Sequence, residues 1–281
     1  MTHLETMSAA IDFIETHLQD EMTLADVADA VSYSLYHFSR VFSATVHHTP
    51  YDYLMRRRLS ESSRDLLESD KKVVDIAFDY QFNNAETYSR AFKRLFHILP
   101  SQWRKQSQPE HWRQMPQLTL PHLEYRNPKS KISPTQIKTE KLHLVGLMSQ
   151  LDCLQTDSIA ALWNHLHATN VSGSEAFGLF LFPSGPGDAN PFYMASICIR
   201  EPSINHALLV EKQLPAQRYA SFHHNGLPET RYLTFDYIFH TWLPQSGQKL
   251  SGDYVIEAFG NVMPLSGETI IDWDVWVPLG D

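Results

Sequence analysis

The sequence predicts two domains of different class: an all-α N-terminal domain made of a double helix-turn-helix, followed by an α+β domain of duplicated β-α-β-β units. Three observations carry this. A stretch of about fifty residues is repeated near the start of the chain, a proline-punctuated segment follows, and beyond it the apolar period alternates between that of strands and that of helices. At 281 residues, 43% of them hydrophobic, the chain is long enough to bury a core in each of two domains.

The repeat is explicit. Asp26-Val27-Ala28 recurs as Asp75-Ile76-Ala77 at an offset of 49. One inserted residue later, Phe38-Ser39-Arg40 recurs as Tyr88-Ser89-Arg90 at an offset of 50, with Phe42 matching Phe92, His47 matching His97, Pro50 matching Pro100 and Tyr53 matching Trp103. In the first copy Thr23 and Asp26 form a near capping box, after which Leu24, Val27, Ala28 and Val31 fall on one helical face. Ser32-Tyr33-Ser34 breaks that pattern and offers a new cap. Leu35, Phe38, Val41 and Phe42 then form a buried stripe, leaving Tyr36, His37, Ser39, Arg40 and Ser43 outward.

The second copy follows the same logic. Val73, Val74, Ile76, Ala77 and Tyr80 line its first helix, and Asn83 or Asn84 caps the next. Tyr88, Ala91, Phe92 and Leu95 form the stripe, so Glu86, Thr87, Arg90 and Arg94 face outward. Arg40 and Arg90 therefore occupy equivalent exposed positions. A guanidinium there can donate two hydrogen bonds to a guanine edge or one to a phosphate, the chemistry of major-groove reading. Each copy alone also fits an ordinary amphipathic helix with a solvated face; two copies with matching arginines favour DNA. Between them, a connecting helix over residues 51–67 carries Arg56-Arg57-Arg58, a cluster suited to phosphate or to a solvated face.

With these residues and the closing Pro100-Ser101-Gln102-Trp103-Arg104, residues 8–106 resemble the double helix-turn-helix domain of AraC-type transcription regulators. The resemblance implies two recognition helices in successive major-groove segments about one turn, roughly 34 Å, apart. It also implies activation through RNA polymerase. Carried over by position, Tyr36, Ser39 and Arg40 read bases or anchor the backbone in the first half-site, and Ala85, Glu86, Thr87 and Arg90 sit over the second; Ser34, His37, Arg57 and Arg94 complete the candidate DNA-binding residues. Two departures stand out: Gln81 replaces the glycine familiar in the second turn, and Ala85-Glu86 stands where long amide side chains are familiar. Glu86 is expected to accept from a cytosine amine or to exclude other bases.

Charge supports this by region only. The chain carries a formal net charge of -9, which argues against an indiscriminately basic nucleic-acid binder. Residues 1–30 hold seven acids and no Lys or Arg, whereas residues 80–108 hold five Lys or Arg against Glu86 alone. Affinity for DNA is expected to fall steeply with salt.

Residues 1–108 thus form the expected DNA-binding domain, and 109–134 a linker punctuated by Pro109, Pro116, Pro121, Pro128 and Pro134, with Leu118, Leu120 and Leu123 able to dock a short strand. Residues 135–281 form the second domain. Strands are expected over 136–148, 177–182, 192–200, 218–223, 254–259 and 270–277, helices over 157–168 and 228–242, and a turn over 183–188.

That layout, with His224-Asn225-Gly226, Trp242-Leu243-Pro244, Tyr254-Val255-Ile256-Glu257 and Asp274-Val275-Trp276-Val277-Pro278, resembles the GyrI-like effector-binding domain, which binds small molecules in a cleft between its halves. Alternation places Asp272, Asp274 and Trp276 on one face of the last strand. A carboxylate beside an indole suits a lipophilic cation, so Asp274 with Trp276, Glu257 as a second carboxylate, and Trp163 and Tyr193 as walls are the candidate ligand residues. Residues 109–281 hold 11 Lys or Arg and 17 Asp or Glu, a net -6 that favours an electropositive ligand. Structural roles compete: Trp163 and Trp242 suit a core, and Asp274 a satisfied structural carboxylate.

The whole reads as a ligand-responsive transcription regulator, an activator, partnered by double-stranded DNA and a small-molecule effector, and not an enzyme. Two alternatives stay open: a hydrolase, with Glu257 and Tyr254 suspected although alternation separates them, or a protein-interaction module without a pocket. No run of about eighteen apolar residues and no signal-peptide layout occurs, so a cytoplasmic protein is expected, with no membrane partner. Cys153 and Cys198 are too few and isolated for a disulfide framework, and the histidine spacing offers no metal site. No cofactor is expected.

Overall fold

The computed structural model of the chain describes residues 2–105, 113–127, 132–151, 156–171, 173–182, 191–199, 208–262, 264 and 271–280. Pro109, Pro128, Cys153 and the turn expected over 183–188 lie outside the described residues. Contacts divide the chain into two compact units, Met1–Lys131 with Asp236–Trp242, and Ile132–Phe235 with Leu243–Asp281.

The first unit holds α1 (His3–Thr16), α2 (Leu24–Ala30), α3 (Leu35–Val46), α4 (Pro50–Glu68), α5 (Val73–Asp79), α6 (Ala85–Phe96), α7 (Pro100–Trp103) and α8 (Leu120–Arg126). The caps are those the sequence offers. Asp26 N donates to Thr23 Oγ1 at 3.3 Å while Asp26 Oδ2 accepts from Thr23 N at 2.7 Å. Ser34 accepts from His37 N ahead of α3, and Asn84 from Thr87 N ahead of α6.

The sequence repeat is also a backbone repeat. Ser32 and Gln81, 49 residues apart, both turn the chain with left-handed φ of 59° and 62°. Next to them, Tyr33 N donates to Ala28 O and Phe82 N to Ala77 O, each at 2.9 Å. His47 and His97, with φ of 62° and 65°, end α3 and α6 alike. Each copy packs its own core. Ile11, Val27, Phe38 and Phe42 belong to one, Ile76, Tyr88, Phe92 and Trp103 to the other, and α4 contributes Tyr53 and Leu54 to the first and Leu59 and Leu66 to the second.

The segment expected as an extended linker contributes to this unit instead. Leu118 and Leu123 are buried in the first core, and α8 places Pro121 in its first turn, where the missing N–H costs no helical hydrogen bond. Asp236–Trp242 packs here too: His122 Nε2 lies 3.1 Å from Asp236 Oδ2, His48 Nε2 lies 3.0 Å from Thr241 Oγ1, and the buried Arg126 guanidinium sits 5.6 Å from the Tyr237 ring centre.

The second unit is an eight-stranded antiparallel sheet in the order β1-β6-β8-β7-β3-β4-β2-β5. The strands are β1 (Thr135–Lys138), β2 (Leu142–Gln150), β3 (Ala176–Leu181), β4 (Phe192–Cys198), β5 (Val210–Leu214), β6 (Arg218–Gly226), β7 (Tyr254–Gly260) and β8 (Ile271–Pro278). The strand expected over 136–148 is two strands broken at 139–141, and β5 was not expected at all. The helix expected over 228–242 is a 3-10 turn at Pro228–Thr230, α10 (Arg231–Tyr237) and a π-turn at Ile238–Trp242; α9 (Thr156–Ala168) precedes it in the chain, and α11 (Leu243–Ser246) follows.

One edge strand, β5, is joined to β6, next to the opposite edge, through only residues 215–217. So short a link forces the sheet to curl until its edges approach. The inner face of the curl is filled by Leu144, Leu179, Met194, Leu214, Tyr219 and Ile256, which draw on strands from both ends of the order. The outer face carries α9 and α10, through Trp163 to Tyr193 and Arg231 to Glu257.

Candidate nucleic-acid interface and effector site

The two matched helices of the first unit present polar faces opposite matched cores. On α3, Tyr36 is 78% exposed, His37 and Arg40 are exposed, and Ser39 is half-buried. On α6, Glu86, Thr87, Arg90 and Arg94 are exposed and Ala85 is half-buried. Phe38 and Phe42 under α3 correspond to Tyr88 and Phe92 under α6, so Arg40 and Arg90 emerge at the same place on each unit. Ser34 spends its hydroxyl on the cap, and Leu35, expected in the buried stripe, is 48% exposed. Glu86 Oε1 stands 3.9 Å from Arg90 Nη2, one helical turn away, a loose pair that base edges can compete with.

Arg57 is not on this surface. It is buried, with Nε and Nη2 donating to the two oxygens of Glu15 at 2.8 and 2.9 Å, Nη2 also to Glu61 at 2.6 Å, and Nη1 to Met115 O. Its neighbours are committed as well: Arg56 pairs with Asp52, and Arg58 donates to Leu18 O and Asp20 O. Arg57 thus ties α4 to α1, and Arg58 ties it to the segment just after α1; Arg57 is corrected from a DNA contact to a structural fork. Arg104 of the closing motif is structural too, donating to Leu66 O and Lys71 O.

In the second unit, Trp163, Tyr193 and Glu257 come together on the outer face. Trp163 Nε1 donates to the Tyr193 hydroxyl at 3.0 Å, and that hydroxyl donates to Glu257 Oε2 at 3.0 Å. Arg231 Nη1 also donates to Oε2, at 3.2 Å. Backbone register explains the approach: Gly178 is opposite Glu257 on one side and Ala195 on the other, and a Cβ there would lie 2.1 Å from the Tyr193 hydroxyl. Only glycine leaves room for the tyrosine to cross to the carboxylate.

Glu257 is fully buried. Burial pushes its carboxyl above the usual range, against the pull of Arg231, the Tyr193 hydroxyl and the Trp273 indole. Burial and the Glu257 charge push the Tyr193 phenol well above its usual value. The Trp273 indole faces the carboxylate closely enough to add to that pull, yet among the described residues neither its Nε1 nor Glu257 Oε1 has a partner at hydrogen-bond geometry. Phe180, Phe235, Phe259 and Trp273 complete an aromatic surround, with Phe180 4.7 Å from Tyr193 and Phe259 5.5 Å from Trp163 between ring centres.

Asp274 and Trp276 are not part of this group. Glu257 pairs with Val275, so Asp274 and Trp276 point through the opposite face of the sheet. There Asp274 is 45% exposed and 3.2 Å from His223, while Trp276 packs on Phe177 and Tyr219. Tyr254 also lies on that inner face, hydrogen-bonded to Gln217, as the alternation required. An open groove of about 570 Å³ at one end of the inner face is lined by Met148, Leu181, Phe192, Lys212, Leu214 and Tyr254 and contains none of the expected ligand residues. Arg231, Gly178 and Trp273 escaped sequence reasoning, because only cross-strand register and the fold of α10 bring them to Glu257.

Residues 27–106 match the profile of a helix-turn-helix domain, and residues 133–279 that of the GyrI-like small molecule binding domain. The chain belongs to the AraC family of regulators, with a GyrI-like domain. The HTH-type transcriptional regulator YbfP of Bacillus subtilis is 33% identical over 104 residues, 37% of this chain and 35% of that protein. The right origin-binding protein of Escherichia coli K12 is 30% identical over 141 residues, 50% of this chain and 47% of that protein. This chain thus aligns with about a third to a half of the length of these relatives. The solved structure of SAV2435 bound to tetraphenylphosphonium aligns with 53% of this chain and 94% of its own at 16% identity and a TM-score of 0.41. Among the described residues, no helix of this AraC-family chain is long and apolar enough to cross a membrane.

Proposed function

We propose that this AraC-family chain is a sequence-specific DNA-binding transcription regulator, an activator whose action is set by a small-molecule effector held by the second unit. The reading rests on one observation above others: Arg40 and Arg90 project from the same position of two repeated helices, each opposite a matched aromatic core. Two equivalent reading heads call for two windows along one duplex, and their unlike neighbours, Tyr36 with His37 against Glu86 with Thr87, call for an asymmetric site. Selection of bound duplexes from random DNA is expected to return two distinct windows about one helical turn apart. A pool enriched without positional preference contradicts the reading. Contact with RNA polymerase follows from the family alone, and stimulated transcription from a selected site by purified polymerase tests it.

The effector is a lipophilic cation that binds at Glu257, with Tyr193 and Trp163 beside it. A fully buried carboxylate with one oxygen unpartnered among the described residues, ringed by aromatic side chains, supports this over a pocketless interaction module. The adjacent Tyr193 keeps hydrolysis as the second reading, tested by turnover of a candidate substrate. A panel of lipophilic cations is expected to raise the melting temperature of the wild-type chain and of Asp274→Asn, and to leave Glu257→Gln unmoved. Equal shifts in all three remove Glu257 from the effector site.

A further inference from the structure

Two buried arginine–glutamate pairs among the described residues are built differently. In the first unit, Arg57 forks onto both oxygens of Glu15 at 2.8 and 2.9 Å. In the second, Arg231 reaches Glu257 with one nitrogen at 3.2 Å, shares a single oxygen with Tyr193, and leaves Oε1 without a partner among the described residues. The Arg231 side chain is 6% exposed, and its Nε donates to Pro228 O at 2.8 Å. Its guanidinium carbon lies 6.0 Å from the Phe180 ring centre, among the aromatic residues that surround the carboxylate. A bidentate fork is a strong, specific pair, and a single long contact to a shared oxygen is a weak one. Arg231 thus satisfies the buried charge enough to fold the unit, without satisfying it well.

Resting on the reading of Glu257 as the effector carboxylate, we propose that Arg231 is the residue that sets effector specificity, its guanidinium occupying the cation position until an incoming cation displaces it. Glu257 is closed to solvent, and on this proposal the displacement of Arg231 from Oε2 is the step that admits the cation. A tethered competitor acts at an effective concentration on the order of millimolar, and a ligand must offset that occupancy as well as its own ordering. A small hydrated cation gains only the charge contact and fails. A large cation with delocalised charge also buries apolar surface against Phe180, Trp163 and Tyr193, and succeeds. The site is therefore selective for bulky lipophilic cations because its own arginine sets the threshold.

The test is titration of the full chain with tetraphenylphosphonium, comparing wild type, Arg231→Met, Arg231→Lys, Glu257→Gln and Arg231→Met/Glu257→Gln. Met keeps the apolar volume and removes the tethered charge, and Lys keeps the charge. The expected result is binding about tenfold or more tighter to Arg231→Met than to wild type. Arg231→Lys should stay near wild type, and the gain should vanish in the double variant. Methylguanidinium at low millimolar concentration should raise the melting temperature of Arg231→Ala and not that of wild type. Unchanged or weaker binding to Arg231→Met, with Glu257→Gln still impaired relative to wild type, overturns the role of Arg231 and leaves the effector reading standing. Equal binding to wild type and Glu257→Gln overturns the effector reading, and with it this inference. A chain that binds the phosphonium in none of its forms contradicts both.

Discussion

Arg57 is surrounded by oxygen acceptors that leave it nothing to offer a phosphate. Both Glu15 oxygens, Glu61 and Met115 O accept from it, and the side chain is 4% exposed. Truncating one partner of such a pair strands the other charges in a low-dielectric setting, which typically costs 3–5 kcal/mol. Arg57→Ala is expected to destabilise the first unit by about that much in chemical denaturation, whereas the exposed Arg40→Ala stays within about 0.5 kcal/mol of wild type. A stable Arg57→Ala chain with weakened DNA binding would return Arg57 to the interface. A run of three arginines on a helix announces charge without announcing direction, because Glu15, which claims Arg57, and the carbonyls of Leu18 and Asp20, which claim Arg58, lie about forty positions away in α1 and the segment after it. The same limit separated Glu257 from Asp274. Alternation orders residues within one strand, but which faces of β7 and β8 coincide depends on the pairing of Glu257 with Val275.

The helices of the first unit were legible because their evidence is local: Thr23, Ser34 and Asn84 cap, and aromatic residues recur at helical spacing. Elements whose evidence is not local were missed. β5 reads Val-Glu-Lys-Gln-Leu, is exposed at four of its five positions and lacks alternation, so only its pairing with β2 makes it a strand. α8 was hidden by Pro121, which breaks a helix interior but begins one well. α10 and the 3-10 turn before it are held to the sheet by His224, whose Nε2 lies 3.1 Å from Thr230 Oγ1 and Nδ1 2.6 Å from Thr234 Oγ1, with the Trp273 ring tilted against it at 4.1 Å. Burial, the Arg231 charge and the neighbouring His223 hold the His224 imidazole down at about 4, with Asp272 opposing. A histidine with a depressed folded-state pKa contributes stability that is present above its unfolded value of 6.5 and lost as pH falls towards 4. The second unit is expected to lose about 3 kcal/mol over that window from this residue, read as a falling urea midpoint. His224→Gln should flatten the profile; a wild-type midpoint that holds steady from pH 7 to 4 contradicts the assignment.

At the scale of the whole molecule, a net charge of -9 coexists with DNA reading because the acids are segregated. Arg40 stands out on α3, and Arg90, Lys93 and Arg94 on α6, while Glu15 and Glu61 are consumed by Arg57. Two-domain organisation was plain from the repeat, the change of apolar period and the length, but the grouping of Asp236–Trp242 with Met1–Lys131 was not, since nothing local marks seven residues of a helical stretch as belonging to the other unit. The central claim is that two repeated surfaces read two windows of one duplex, and the most direct measurement is binding of the full chain to a selected site as a function of salt, with Arg40→Ala and Arg90→Ala alongside. Wild-type affinity should fall steeply with salt, and each variant should lose about 1–3 kcal/mol with relaxed preference confined to its own window. Salt-indifferent binding, or two variants that keep wild-type affinity and preference, would contradict the account.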